Sequence, residues 1–146
     1  MVYDPNAPVD REKAVAAQRE RLYWLTLLSG LGNAVLLALH LIGAETILVP
    51  WIAAGVAGAL ITAGIRGISD GYYNDLVSVG LRWMAFALGV LTLLLWINAD
   101  LSLLVFPWVD RLADDGFLLA LVLGLAFHAG YAFAYIKDIV WKGSEL

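Results

Sequence analysis

The sequence predicts an all-α, polytopic membrane protein. Four transmembrane helices form two tandem helical hairpins, and an interfacial helix is expected in the second outer loop. Two observations carry this class. Four apolar runs, Leu22–Gly43, Ile47–Ile65, Val77–Ile97 and Phe117–Ile136, hold about 19 to 22 residues each, and their one charged residue is Arg82. At ~1.5 Å per residue each run spans ~28–33 Å, close to the thickness of a bilayer's hydrocarbon core. Composition agrees: 62% of the 146 residues are hydrophobic and 15% are charged, with a mean hydropathy of +0.80. Soluble domains are about a quarter charged.

The same composition excludes several functions. A net charge of -4 argues against nucleic acid, which needs a basic face. The absence of cysteine removes disulfides, thiol redox chemistry and thiolate metal sites, and with them enzymes like the four-helix vitamin K reductases and disulfide oxidases.

Taken in order, the chain opens with a cytoplasmic segment, residues 1–21. Its Asp4, Asp10, Arg11, Glu12 and Lys13 leave no apolar core for a cleavable signal. Pro5 and Pro8 keep the first residues extended, and Asp10 caps a helix running through Arg11–Arg21 into the first span. That helix is a solvated extension or a partner-docking arm. The first hairpin, residues 22–70, turns tightly at Ala44–Thr46, which makes its two spans antiparallel neighbours. The second hairpin, residues 71–142, contains the longer outer loop 98–116. There Leu101, Leu103, Leu104, Val105, Phe106, Trp108, Val109 and Leu112 mix with Asp110, Asp114 and Asp115. Such a mixture suits a short helix in the interface, bent at Pro107, or a lid over a partner subunit.

Orientation follows from the basic residues. Both termini share a side with the middle loop, and that side carries Arg11, Lys13, Arg19, Arg21, Arg66, Arg82, Lys137 and Lys142. Only Arg111 lies opposite, so the termini are expected in the cytoplasm of a cell's inner membrane. Aromatic residues fit the same register. Tyr23, Trp24, Tyr72, Tyr73, Trp83, Tyr135 and Trp141 fall near the inner boundary, and Trp51, Trp96, Phe106 and Trp108 near the outer one. Their amphipathic rings read as anchors at the headgroups.

The two hairpins resemble each other. Trp24 to Gly30 matches Trp83 to Gly89, and Ile61-Thr-Ala-Gly64 matches Phe127-His-Ala-Gly130. A duplication would give parallel repeats about an axis along the membrane normal. Two tandem two-helix units, each starting at a Trp and ending at an acidic turn, resemble the YiaA/YiaB two-helix domain proteins. The resemblance is carried by Leu95-Trp96-Ile97-Asn98-Ala99, Asp115-Gly116-Phe117 and Lys137-Asp138, and the layout runs from Trp24 to Asp138. An Ile splits the family's Trp-Asn pair here, the linker is longer, and the first unit lacks Trp-Asn-Ala. The resemblance implies a small inner-membrane protein and no defined chemistry.

In lipid, helices associate through close packing of small residues. The second span offers two such ridges, Ala54/Gly58/Thr62 and Gly55/Ala59/Ala63. The fourth offers Ala120/Gly124/His128/Ala132 and Ala126/Gly130/Ala134, and the first offers Gly30/Ala34/Ala38. Gly55, Gly58, Gly124 and Gly130 are therefore the expected helix-packing positions, facing either other spans or another subunit. Leucine-rich, the third span should face lipid more.

Few polar side chains sit within the spans, and Asn33, His40 and His128 stand out. His40 falls near the outer boundary and His128 near mid-membrane, so their depths differ by ~10 Å or more and they should not share one haem iron. His128 is the better candidate for function, because intramembrane ionisable residues are functional suspects. Its plainer reading is a neutral imidazole bonded to Asn33 or a backbone carbonyl. Proton-coupled transport would need a buried carboxylate, and no span has one. The inner loop brings Arg66, Asp70, Tyr73, Asp75 and Arg82 close in sequence. Such a set suits a lipid phosphate or ordinary ion pairing at a turn. No metal-ligand spacing or cofactor motif occurs.

These features point to a non-catalytic accessory or assembly subunit of a larger membrane complex, in contact with the bilayer and with other subunits or itself. The alternatives are a small dimeric transporter or channel, and a binder of, or enzyme acting on, lipid headgroups or quinone.

Overall fold

The computed structural model describes residues 8–65, 71–101 and 107–143, and among them the chain forms five α-helices and no strand. In chain order these are α1 (Pro8–Leu41), α2 (Val49–Gly64), α3 (Gly71–Leu101), α4 (Pro107–Asp114) and α5 (Gly116–Gly143). Three contain stretches long and apolar enough to cross a membrane: Glu20–Leu41, Gly71–Ala99 and Gly116–Val140. α2 is as apolar, but its 16 residues rise only ~24 Å, less than the ~30 Å hydrocarbon core.

α1 is one continuous helix of 34 residues, so the charged N-terminal stretch and the first apolar run share a single axis. It starts at Pro8, where a missing N–H costs nothing in the first turn. It ends in a Schellman turn: Gly43 N–H donates to His40 O, Ala44 N–H donates to Leu39 O, and Gly43 takes a φ of 67°. That left-handed backbone turns the chain into α2.

α5 is the central helix, lying between α1 and α3, while α2 packs chiefly on α1. α1 and α5 run antiparallel. His40 meets Asp115 at one end, Asn33 meets Leu121, and Gly30 meets His128 further in. α3 and α5 are also antiparallel, with Gly80 against Phe127 and Leu91 in one cluster with Leu118. Two apolar clusters hold the bundle: Tyr73, Leu76, Val77, Phe127 and Tyr131 between α3 and α5, and Leu36, Val56 and Leu121 among α1, α2 and α5. The opposite face of α3 is bare, with Phe86, Leu93 and Trp96 exposed.

The outer loop is shorter than the 98–116 expected, because α3 continues helically through Asn98 to Leu101. Asn98 Nδ2 donates to Asp110 Oδ1, which ties this last turn to α4. Leu103 to Phe106 lie outside the described residues. Pro107 opens α4 instead of bending a helix, the position that its fixed φ suits best. α4 buries Val109 and Leu112 and exposes Asp110, Arg111 and Asp114. Leu112 joins Leu91 and Leu118, so α4 is clamped between α3 and α5.

Candidate functional site: a buried polar cluster between three helices

Thr26, Ser29 and Asn33 recur on α1 at a spacing that places them on one helical face, and all three are buried. That face meets α5 and the start of α3. Thr26 Oγ1 donates to Leu22 O at 3.0 Å and contacts Tyr73 Oη at 2.9 Å. Ser29 Oγ donates to Thr26 O at 2.8 Å and lies 3.4 Å from His128 Nε2. Asn33 Nδ2 donates to Leu121 O at 2.9 Å. Interhelical hydrogen bonds of this kind contribute ~0.6–2 kcal/mol each in a membrane.

Glycines make room for these side chains. A Cβ on Gly124 would lie 3.2 Å from Asn33 Nδ2, and one on Gly30 would lie 3.0 Å from His128 Cβ. Aromatic rings close the cluster. Tyr131 meets Tyr73 edge-on at 6.1 Å and stacks on Phe127 at 6.4 Å, while Phe127 packs against His128 at 5.2 Å. Each described partner of this cluster is uncharged, so it can hold neutral hydrogen-bonding groups but offers no counter-ion. Among the described residues, no group of three or more His, Cys, Asp or Glu side chains is placed to hold a metal ion.

A second polar junction lies at the outer end. His40 Nε2 pairs with Asp115 Oδ2 at 2.5 Å, and the His40 ring packs edge-on against Phe117. Asp115 is also the N-cap of α5, its Oδ1 accepting from Phe117 N–H at 3.1 Å and Leu118 N–H at 2.9 Å. The Leu118 N–H, followed by the His40 side chain, holds this carboxyl below its ordinary value. Asp115 and His128 are thirteen positions apart on α5, or ~20 Å along the axis. The two histidines therefore cannot grip one iron.

Of the sequence-derived candidates, the fold gathers His128, Asn33 and Tyr73. Asn33, however, bonds the Leu121 carbonyl and not the imidazole, because Gly124 seats it against the backbone of α5. Ser29 is the side chain that meets His128. Asp75 and Arg82 are exposed on α3, apart from this cluster. Arg66 and Asp70 lie outside the described residues. Gly124 and Gly130 pack within the chain, Gly130 against Trp83, where a Cβ would come within 2.6 Å of Cγ. Trp83 is thus a packing residue as well as a boundary aromatic. Gly55 and Gly58 meet nothing within 4 Å in the single chain. They border a crevice of about 190 Å³ between α1, α2 and α3, with Thr26 and Tyr73 on its wall.

Thr26, Ser29, Tyr131 and Asp115 were not singled out from the sequence. The stripe Thr26, Ser29, Asn33 was visible there as a polar face on an apolar helix. Asp115 was visible as an acidic residue just ahead of an apolar run. No protein-family model, curated protein or solved structure matches the chain.

Proposed function

We propose that this chain is a non-catalytic accessory or assembly subunit of a larger membrane complex. In this reading α1, α2, α3 and α5 all cross a cell's inner membrane, with both termini in the cytoplasm. One observation carries it: the small-residue face of α2 at Gly55 and Gly58 is open, whereas Gly30, Gly32, Gly80, Gly124 and Gly130 are each closed by a side chain of this chain. In lipid, small residues mark where helix backbones approach each other. An open glycine face on a helix otherwise packed on α1 supports a partner helix from outside. The polar interior supports the non-catalytic part, because most of its groups are engaged in helix-to-helix hydrogen bonds. The layout shared with YiaA/YiaB-like proteins supports the inner-membrane assignment.

Purification of the native chain in mild detergent, with identification of what accompanies it, tests the reading. Stoichiometric partner proteins support it. A homodimer that passes solute would replace it with the transporter or channel reading, and a retained lipid or quinone with the binder reading. The topology is checked by labelling an introduced Ser102→Cys from outside the cell; labelling only from the cytoplasm would invert the orientation.

A further inference from the structure

Two buried side-chain polar atoms among the described residues have no protein partner: His128 Nδ1 and Tyr131 Oη. Neither side chain has access to solvent, since His128 is 5% exposed and Tyr131 is 0% exposed. They stand three positions apart on α5, so they share a face. Helical side chains lean toward the N-terminus, which carries Tyr131 back over the turn holding His128. In a membrane interior an unmatched polar group is costly, and two on one face point to one shared occupant.

The surrounding hydrogen bonds fix what that occupant must be. Ser29 has a single hydroxyl proton, and its 2.8 Å bond to Thr26 O takes it. Toward His128, then, Ser29 Oγ can only accept, and the proton in that contact sits on Nε2. No carboxylate pairs with this imidazole, so the ring is neutral and Nδ1 is left as a bare acceptor. Tyr131 contributes the opposite, an O–H with no acceptor. An acceptor and a donor on one helical face call for a group that accepts from one and donates to the other.

We propose that one internal water bridges Tyr131 and His128, accepting the Tyr131 hydroxyl proton and donating to His128 Nδ1. The resulting chain runs Tyr131, water, His128, Ser29 and the Thr26 carbonyl. It links α5 to α1 through groups that all point one way and end on a carbonyl. It therefore fixes the imidazole tautomer and joins the two helices, and it does not conduct protons onward. A lipid alcohol offers the same donor and acceptor, and a water-specific signal separates the two sources.

Magnetic resonance on the full chain in lipid nanodiscs with ¹⁵N-labelled histidine tests the site, a His40→Gln variant identifying the His128 signals. The expected result is a ring proton on Nε2, an Nδ1 resonance shifted as a hydrogen-bond acceptor, and a magnetisation-transfer contact between water and the His128 ring. In Tyr131→Phe the contact should be lost and the Nδ1 resonance should move toward that of a free acceptor. The melting temperature gives an independent sign. Removing a partnerless buried hydroxyl would leave Tm unchanged or raise it, whereas removing a water anchor should lower Tm by about 3 °C. A ring proton on Nδ1, no water contact in the native chain, or a Tyr131→Phe melting temperature at or above the native one would each overturn the proposal.

Discussion

At the scale of single residues, the glycines of this chain fall into two classes with opposite expected responses. At Gly130 a Cβ would come within 2.6 Å of Trp83 Cγ and 2.8 Å of its Cβ, atoms near the root of a bulky side chain that cannot swing aside. Gly130→Ala should therefore destabilise the chain by about 1–3 kcal/mol, an overpacking cost. At Gly58 nothing lies within 4 Å. Gly58→Ala should be neutral or stabilising by up to about 1 kcal/mol in the isolated chain, because alanine restricts the unfolded backbone more. Detergent unfolding of both variants checks the contrast. Asp115 supplies a pH dependence with a definite sign. Its carboxyl is held below the ordinary 3.8 by the Leu118 N–H and His40, so the folded state binds its proton less readily than the unfolded one. The stability this contributes is present in full above about pH 4 and is lost as pH falls through the depressed folded value. Melting curves in detergent from pH 6 to pH 3 should show that loss, and Asp115→Asn should flatten this acid limb.

At the scale of elements, what the sequence revealed and what it hid divide along physical lines. Long apolar runs declare themselves because bilayer thickness fixes their length, so α1, α3 and α5 were legible, as was the tight turn after α1. The end of α3 was not, because Asn98 and Asp100 resemble loop residues until Asn98 is seen bonded to Asp110 on α4. The face each helix presents was only half legible. Small residues mark surfaces of close approach, but sequence does not say whether the approaching surface belongs to the same chain, and Gly55 and Gly124 look alike until they are placed. The site shows the same division. His128 stood out by its charge-bearing ring, while its contact Ser29 and the neighbouring Tyr131 are ordinary residues that matter through position. For α4 the packing makes a specific forecast. Leu112 is the buried contact that seals it against Leu91 and Leu118. Leu112→Ser should release α4 at a cost of about 2–3 kcal/mol, while the α1–α5 contacts persist. Hydrogen exchange should then rise over residues 107–114 and stay unchanged around Asn33 and His128; a uniform rise would show that α4 is integral to the core.

At the scale of the whole molecule, the bundle is asymmetric. α5 is surrounded, α1 and α3 flank it, and α2 is held chiefly from one side. In lipid there is no general hydrophobic force to press α2 home, so packing and hydrogen bonds decide its neighbours. The described hydrogen bonds of α2 beyond its own backbone ladder do not leave the helix, since Thr62 Oγ1 donates to Gly58 O one turn back. Its outer face is therefore the part of the molecule most open to a partner. Replacing Gly58 with Leu should leave the isolated chain folded, because the added side chain enters open space, but should keep a partner helix from closing on that face. Leu93→Ala on α3 is the matched control: Leu93 is 55% exposed, and lipid accepts the loss of its side chain without a cavity. The expected pattern is an unchanged melting temperature for both variants, with co-purified partner lost only in Gly58→Leu. A melting temperature lowered by Gly58→Leu would mean that the α2 face packs within the chain after all. Partner retained in Gly58→Leu would mean that any assembly uses another surface, the bare face of α3 being the next to test.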